Sequence, residues 1–204
     1  MTQNPPQDGQ PASGEKTLRM KKPKFDPHAG PISPDPNLPP GLRRWGALAV
    51  ATGLGTGFSP FAPGTAGTFV GVLLFWFLAP PFAGWGVYTV ATVCLIALGI
   101  WTATLAEGIY RKKDDGRIVI DEVVGYLVTM LGTCGADDST VRKAWIAVAG
   151  FFVFRFFDIL KPPPAYQFQA LPGGYGIVID DVMAGVYGCL TLHIGLILWR
   201  WLGA

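Results

Sequence analysis

The sequence predicts an all-α, polytopic membrane protein, with about four to five apolar helices and a Gly/Pro-rich re-entrant or interfacial segment. Three observations lead there. Half of the 204 residues are hydrophobic and 15% are charged, against about 25% charged in an average soluble domain, and the mean hydropathy is +0.36. The charges crowd into an N-terminal tail and a few short loops. Between them, apolar runs recur at about 66–79, 86–106, 118–134, 144–160 and 181–202, and a hydrocarbon core of ~30 Å takes ~20 helical residues.

Residues 1–41 are rich in Pro, Gly, Gln, Asp and Lys without apolar periodicity. They bury too little surface to offset chain entropy, so a disordered cytosolic tail is expected. No apolar stretch follows the basic cluster between Lys16 and Lys24, which excludes a signal peptide there. The membrane-embedded part is expected over 42–204. Its opening segment, GALAVATGLGTGFSPFAPGTAG at 46–67, is apolar but broken by Gly, Pro, Ser and Thr. That pattern suits a helical stub that enters and returns through a loop. Of the runs that follow, 86–106 and 181–202 are long enough to span; 66–79 is cut by Pro80-Pro81, and 118–134 is short and opens near two acids.

Basic residues set the orientation. Arg43-Arg44 precede the first run, and Arg111, Lys112, Lys113 and Arg117 separate the second from the third. The positive-inside rule turns both loops to the cytoplasm, although Arg142-Lys143 and Arg200 count against it. Counting helix ends from there brings five stretches to the inner face: the loop at 53–67, the inner end of the first run that it meets, Asp121-Glu122, the group Arg155, Asp158 and Lys161, and Asp180-Asp181.

Acids at such positions are expensive, roughly 2.5–3.5 kcal/mol each at a helix centre. Asp180-Asp181 and Asp121-Glu122 are each expected at a helix start, where one acid caps the helix and suits its dipole. A second acid exceeds what a cap needs. With Asp158 they make a carboxylate-rich set without His or Cys ligands, which suits Mg²⁺ or Mn²⁺ rather than zinc. Arg155, Asp158 and Lys161 are spaced by three, on one helix face, before Pro162 ends the helix. They read either as a neutralised structural pair or as a clamp on phosphate. The loop at 57–67 lacks a P-loop ending, but its Gly64 and Thr65 open a helix and suit an anion as well as they suit packing. Gly173, Gly174 and Gly176 would let backbone approach a ligand.

Some classes are excluded. No basic patch carries stacking aromatics, so nucleic acid is not a partner. Cys94, Cys134 and Cys189 form no C-x-x-C pair and read as buried thiols, and His193 reads as a hydrogen-bonded core residue. Trp45, Trp85, Trp199 and Trp201 read as interfacial anchors. An ion-coupled carrier using the interfacial carboxylates is the rival reading, weakened by the lack of an internal repeat.

The segments ATGLGTGFSPFAPGTAGT (51–68), IDEVVGYLVT (120–129), FRFFDILKPPP (154–164) and GGYGIVIDDVMAG (173–185) occur in that order. With them the chain, over 45–202, resembles phosphatidylglycerophosphatase A, a family of bacterial membrane lipid phosphatases. The resemblance implies an all-helical, Mg²⁺-dependent enzyme of the inner membrane that removes the terminal phosphate of phosphatidylglycerol phosphate. It also implies that Asp121, Glu122, Asp158, Asp180 and Asp181, with Arg155 and Lys161, form the functional set. The resemblance does not fix individual roles; read from the residues' own chemistry, the expected metal ligands are Asp121, Glu122, Asp180 and Asp181. Asp158, Arg155, Lys161 and Asp181 are the expected catalytic groups, and Arg155, Lys161, Gly64 and Thr65 the expected phosphate contacts.

Overall fold

The structure is a computed structural model that describes residues 41–203; the tail expected over 1–41 lies almost wholly outside the described residues. The described part is helical and contains no strand. Helix α1 (Leu42–Ala51) leads through a 3₁₀ turn (Thr56–Phe58) to α2 (Pro63–Leu78) and α3 (Gly84–Tyr110). Then come α4 (Ile120–Thr129), α5 (Thr140–Leu160), the single turn α6 (Ala165–Phe168) and α7 (Gly174–Trp201).

The short helix α4 is the centre. It packs against α2, α3, α5 and α7, and all but Glu122 and Val128 of its residues are buried. Beyond the two acids of its first turn the helix is almost wholly apolar, and such a helix is stable only when surrounded. Hydroxyls tie it in: Tyr88 of α3 donates to the Leu127 carbonyl at 2.7 Å, and Tyr126 donates to the Ala147 carbonyl of α5 at 3.0 Å. The rings of Phe75, Tyr88, Tyr126 and Phe154 meet edge to face around it.

Among the described residues two helices, α3 and α7, are long and apolar enough to cross a membrane, and α2 is a shorter apolar helix; the two are the runs expected to span. Their outward faces expose Val90, Val93, Trp101, Leu190, Ile194 and Ile197. Helix α2 has 16 residues, about 24 Å of rise. Helix α4 has 10, about 15 Å, half a hydrocarbon core. The run at 118–134 therefore does not cross as one helix. Helix α5 is long enough, with 21 residues, but carries Arg142 and Lys143 at one end and Arg155 and Asp158 at the other.

The segment at 46–67 does form a helical stub followed by a loop. Leu54 N–H reaches back to the Ala49 carbonyl at 2.6 Å and Gly53 N–H to Val50 at 3.0 Å, the paired closure that ends a helix. Beyond it, the Cβ that Gly57 lacks would stand 2.0 Å from the Arg117 carbonyl oxygen, and that of Gly67 2.7 Å from Val119 Cβ. These two glycines serve packing on the segment that leads into α4.

Candidate active site

Gly125 and Gly185 build the site. A Cβ on Gly185 would lie 2.4 Å from the Gly125 carbonyl oxygen, and one on Gly125 would lie 2.8 Å from the Asp181 carbonyl oxygen. The α4 and α7 backbones therefore touch, as small residues allow. Thr129 closes the crossing one turn further on, donating to the Gly125 carbonyl and meeting the Gly185 carbonyl at 3.3 Å. Asp121 lies four residues before Gly125, and Asp181 four before Gly185. Four residues return to the same helix face, so the glycine contact sets the two carboxylates against each other. The shared Asp-x-x-x-Gly spacing was available in the sequence.

One carboxylate oxygen from each of Asp121, Glu122 and Asp181 falls within 4.8 Å of the others. Asp121 is 7% exposed and Asp181 1%. Asp121 Oδ1 and Glu122 Oε2 are buried without a hydrogen-bond partner. Buried carboxylate oxygens in that state are costly unless a cation meets them. The donor set is all oxygen, and the residues present fit a hard divalent ion.

Lys161 closes one side. It ends α5 in the left-handed region, at φ 41°, which turns its side chain back over the cluster. Its ammonium donates to Asp180 Oδ2 at 2.5 Å and to Asp181 Oδ1 at 3.0 Å, and lies 3.7 Å from Asp158 Oδ1. Burial works against its charge, but the carboxylates of Asp181 and Asp180 outweigh burial and hold its pKa above the ordinary lysine value. Arg155 closes the other side: its Nη1 lies 2.6 Å from Asp158 Oδ2 and 4.0 Å from Glu122 Oε1. Asp158 thus bridges the two cations. Five carboxyl groups gather around two cations.

The start of α2 completes the cluster. A Cβ on Gly64 would stand 2.3 Å from Glu122 Oε1 and 3.1 Å from Arg155 Nη1, which fixes the first turn of α2 against the acids. Thr65 beside it is exposed, and Pro63 occupies the first helical position.

The structure brings Gly64 and the seven charged groups together, leaves Thr65 exposed beside them, and alters the local reasons. Asp180 and Asp181 do not open their helix. Helix α7 begins at Gly174, so the acids lie two turns inside it and a capping role is excluded for both. Asp121 and Glu122 do lie in the first turn of α4, yet no side chain caps that helix. Asp180 is turned to Lys161 and stands outside the three-acid group. Lys161 is engaged by aspartates rather than free to clamp an anion. Gly173, Gly174 and Gly176 approach protein, not a ligand: a Cβ on Gly174 would meet the Ile100 carbonyl at 2.0 Å, and one on Gly176 the Leu171 carbonyl at 2.3 Å. Cys94 is exposed, not buried as expected; Cys134 is buried and Cys189 partly so. His193 is held by the Cys189 carbonyl at 2.8 Å. Trp85 is partly buried and donates to the Cys134 carbonyl, while Trp45, Trp199 and Trp201 are exposed.

Comparison with known proteins bears on this cluster. No solved structure matches the chain. A protein of Bacteroides thetaiotaomicron, provisionally named a phosphatidylinositol-3-phosphatase, is 38% identical over 158 residues, covering 76% of this chain and 93% of the relative. The phosphatidylglycerophosphatase A of Escherichia coli K12 is 36% identical over 73% of this chain and 81% of its own length. That of Haemophilus influenzae is 36% identical over 70% of this chain and 84% of its own length. The family description of phosphatidylglycerophosphatase A matches residues 49–196, a stretch that includes the helix crossing and all seven charged groups, and the chain belongs to that family.

Proposed function

We propose that the protein is a lipid phosphatase that hydrolyses the terminal phosphomonoester of phosphatidylglycerol phosphate at the cytoplasmic surface of the bacterial inner membrane, assisted by Mg²⁺ or Mn²⁺. The observation that carries this reading is the trio of Asp121, Glu122 and Asp181, within 4.8 Å of one another with both aspartates buried and two buried oxygens unpartnered, beside Arg155 and the start of α2. A divalent ion held by this trio would polarise a phosphoryl oxygen and lower the pKa of a bound water.

The remaining roles follow from the chain's own groups. Arg155 is held by Asp158 and offers its guanidinium to the non-bridging phosphoryl oxygens, where charge builds in the transition state. Asp158 has one oxygen facing each cation, so it orients Arg155 and is poorly placed to take a proton. Lys161 holds Asp180 and Asp181 in place. Gly64 and Thr65 supply backbone N–H groups at a helix start, where an anion is favoured. Apolar faces on α3 and α7 keep the enzyme in the bilayer with its substrate.

Phosphate release by purified protein in detergent tests the reading, with Mg²⁺ and then with EDTA. Phosphatidylglycerol phosphate and a phosphatidylinositol 3-phosphate are to be compared, because the relatives are named for both lipids. Release that survives chelation would remove the metal. No release from either lipid, with substrate uptake into proteoliposomes, would favour a carrier.

A further inference from the structure

The loop between α1 and α2 holds three large apolar side chains away from the protein: Leu54 is 82% exposed, Phe58 60% and Phe61 95%. Exposed apolar residues on the long helices need only lipid beside them. This loop is different, because its backbone is irregular and so excluded from the hydrocarbon depth. It is also firmly built. Gly57 N–H donates to the Thr52 carbonyl at 2.9 Å, Thr56 Oγ1 to the Gly53 carbonyl at 2.9 Å, and Gly55 N–H to Thr52 Oγ1 at 3.2 Å. Leu54 sits at φ 57°, a conformation bulky residues seldom adopt. A fixed loop that directs its largest side chains outward calls for an apolar partner. Phe61 precedes Gly64 by three residues, so it lies within about 11 Å of the acid cluster along the chain.

We infer that Leu54, Phe58 and Phe61 form the seat for the diacylglycerol body of the lipid substrate, making this loop the element that selects lipid phosphomonoesters over water-soluble ones. The inference rests on the lipid phosphatase reading above. The cluster binds the phosphate; the loop, at headgroup level and continuous with the start of α2, receives the glyceride and the first acyl carbons.

The test uses the full chain in detergent micelles, where anchoring in a bilayer plays no part. For the wild type, Phe61→Ser and Phe58→Ser, the KM for phosphatidylglycerol phosphate and the inhibition constant of inorganic phosphate are measured together. The expected result is a KM raised about tenfold in Phe61→Ser, a fraction of full Phe burial, with phosphate inhibition within about twofold of wild type. An unchanged KM would overturn the inference. So would a parallel loss of phosphate affinity, which would mean that the loop only shapes the cluster. A wild type that releases no phosphate from the lipid would instead overturn the lipid phosphatase reading. Phe61→Leu should restore most of the KM, which separates apolar contact from a folding defect.

Discussion

The two ends of α5 each carry a lysine, buried at Lys143 and half-buried at Lys161, and the two are handled in opposite ways. They are 18 residues apart, about 27 Å along a helix. At the first end, Lys143 is 4% exposed. Its ammonium donates to the carbonyls of Trp76 and Pro80, both at 3.0 Å, and lies 5.1–5.4 Å from the ring centres of Phe75, Trp76 and Phe82. Carbonyl oxygens at and beyond the end of α2 and aromatic faces engage this positive charge. At the other end, Lys161 meets three aspartates, and the cluster around it still leaves carboxylate oxygens without partners. This fold can neutralise a buried charge with ordinary means. Where it does not, the unpartnered carboxylate oxygens are the feature on which the proposed cation and phosphate site rests.

That contrast can be broken by substitution. The largest expected effect is at Asp181: Asp181→Asn should lower turnover by about 10²–10³-fold, as loss of one group acting on the transition state does. Its thermal unfolding in detergent should stay close to wild type. Near-normal phosphate release would take Asp181 out of the site.

The lysines themselves come next. Lys143→Met should cost roughly 1–3 kcal/mol of stability, because two carbonyls lose their donor, while turnover per folded molecule stays unchanged. Lys161→Met should show the reverse weighting, with turnover falling at least tenfold. If both variants lost stability and activity in the same proportion, the division between a structural and a functional end would fail.

A third comparison lies within the loop and α2. Gly64→Ala places a methyl against Glu122 and Arg155 and should cut turnover about tenfold, whereas Gly57→Ala places it against the Arg117 carbonyl, a rigid neighbour. Gly57→Ala should therefore lower the unfolding temperature more and spare the turnover of the folded fraction. Unfolding curves and specific activity measured on one preparation decide it.

The smallest effect is in the loop between α3 and α4. Arg117 donates to Asp115 Oδ1 at 2.7 Å and holds the Asp115 carboxyl below its ordinary value. A depressed folded-state pKa stabilises above the unfolded value and loses that contribution as pH falls through the folded one. The gap in unfolding temperature between wild type and Asp115→Asn should thus be present at neutral pH. It should close as the pH drops below the usual carboxylate range. A gap that stayed constant would assign the effect to packing.

The sequence by itself determined the helical class, the two helices able to span a membrane, and the identity of the charged groups. Apolar runs and isolated acids are local facts, legible before it is known which residues meet. The sequence misread what depends on partners. GGYGIVI looks like a flexible approach to a ligand, because glycine spacing does not say what comes close. In the fold it is the start of α7, pressed against the Ile100 carbonyl. Only tertiary structure decided that Asp180 and Asp181 lie inside a helix and that Lys161 turns back onto them. It also decided that Gly125 meets Gly185, so that Asp121 and Asp181 face each other. Such contacts join residues some sixty positions apart in the chain, and close backbone packing, rather than any local preference, sets the distance between them.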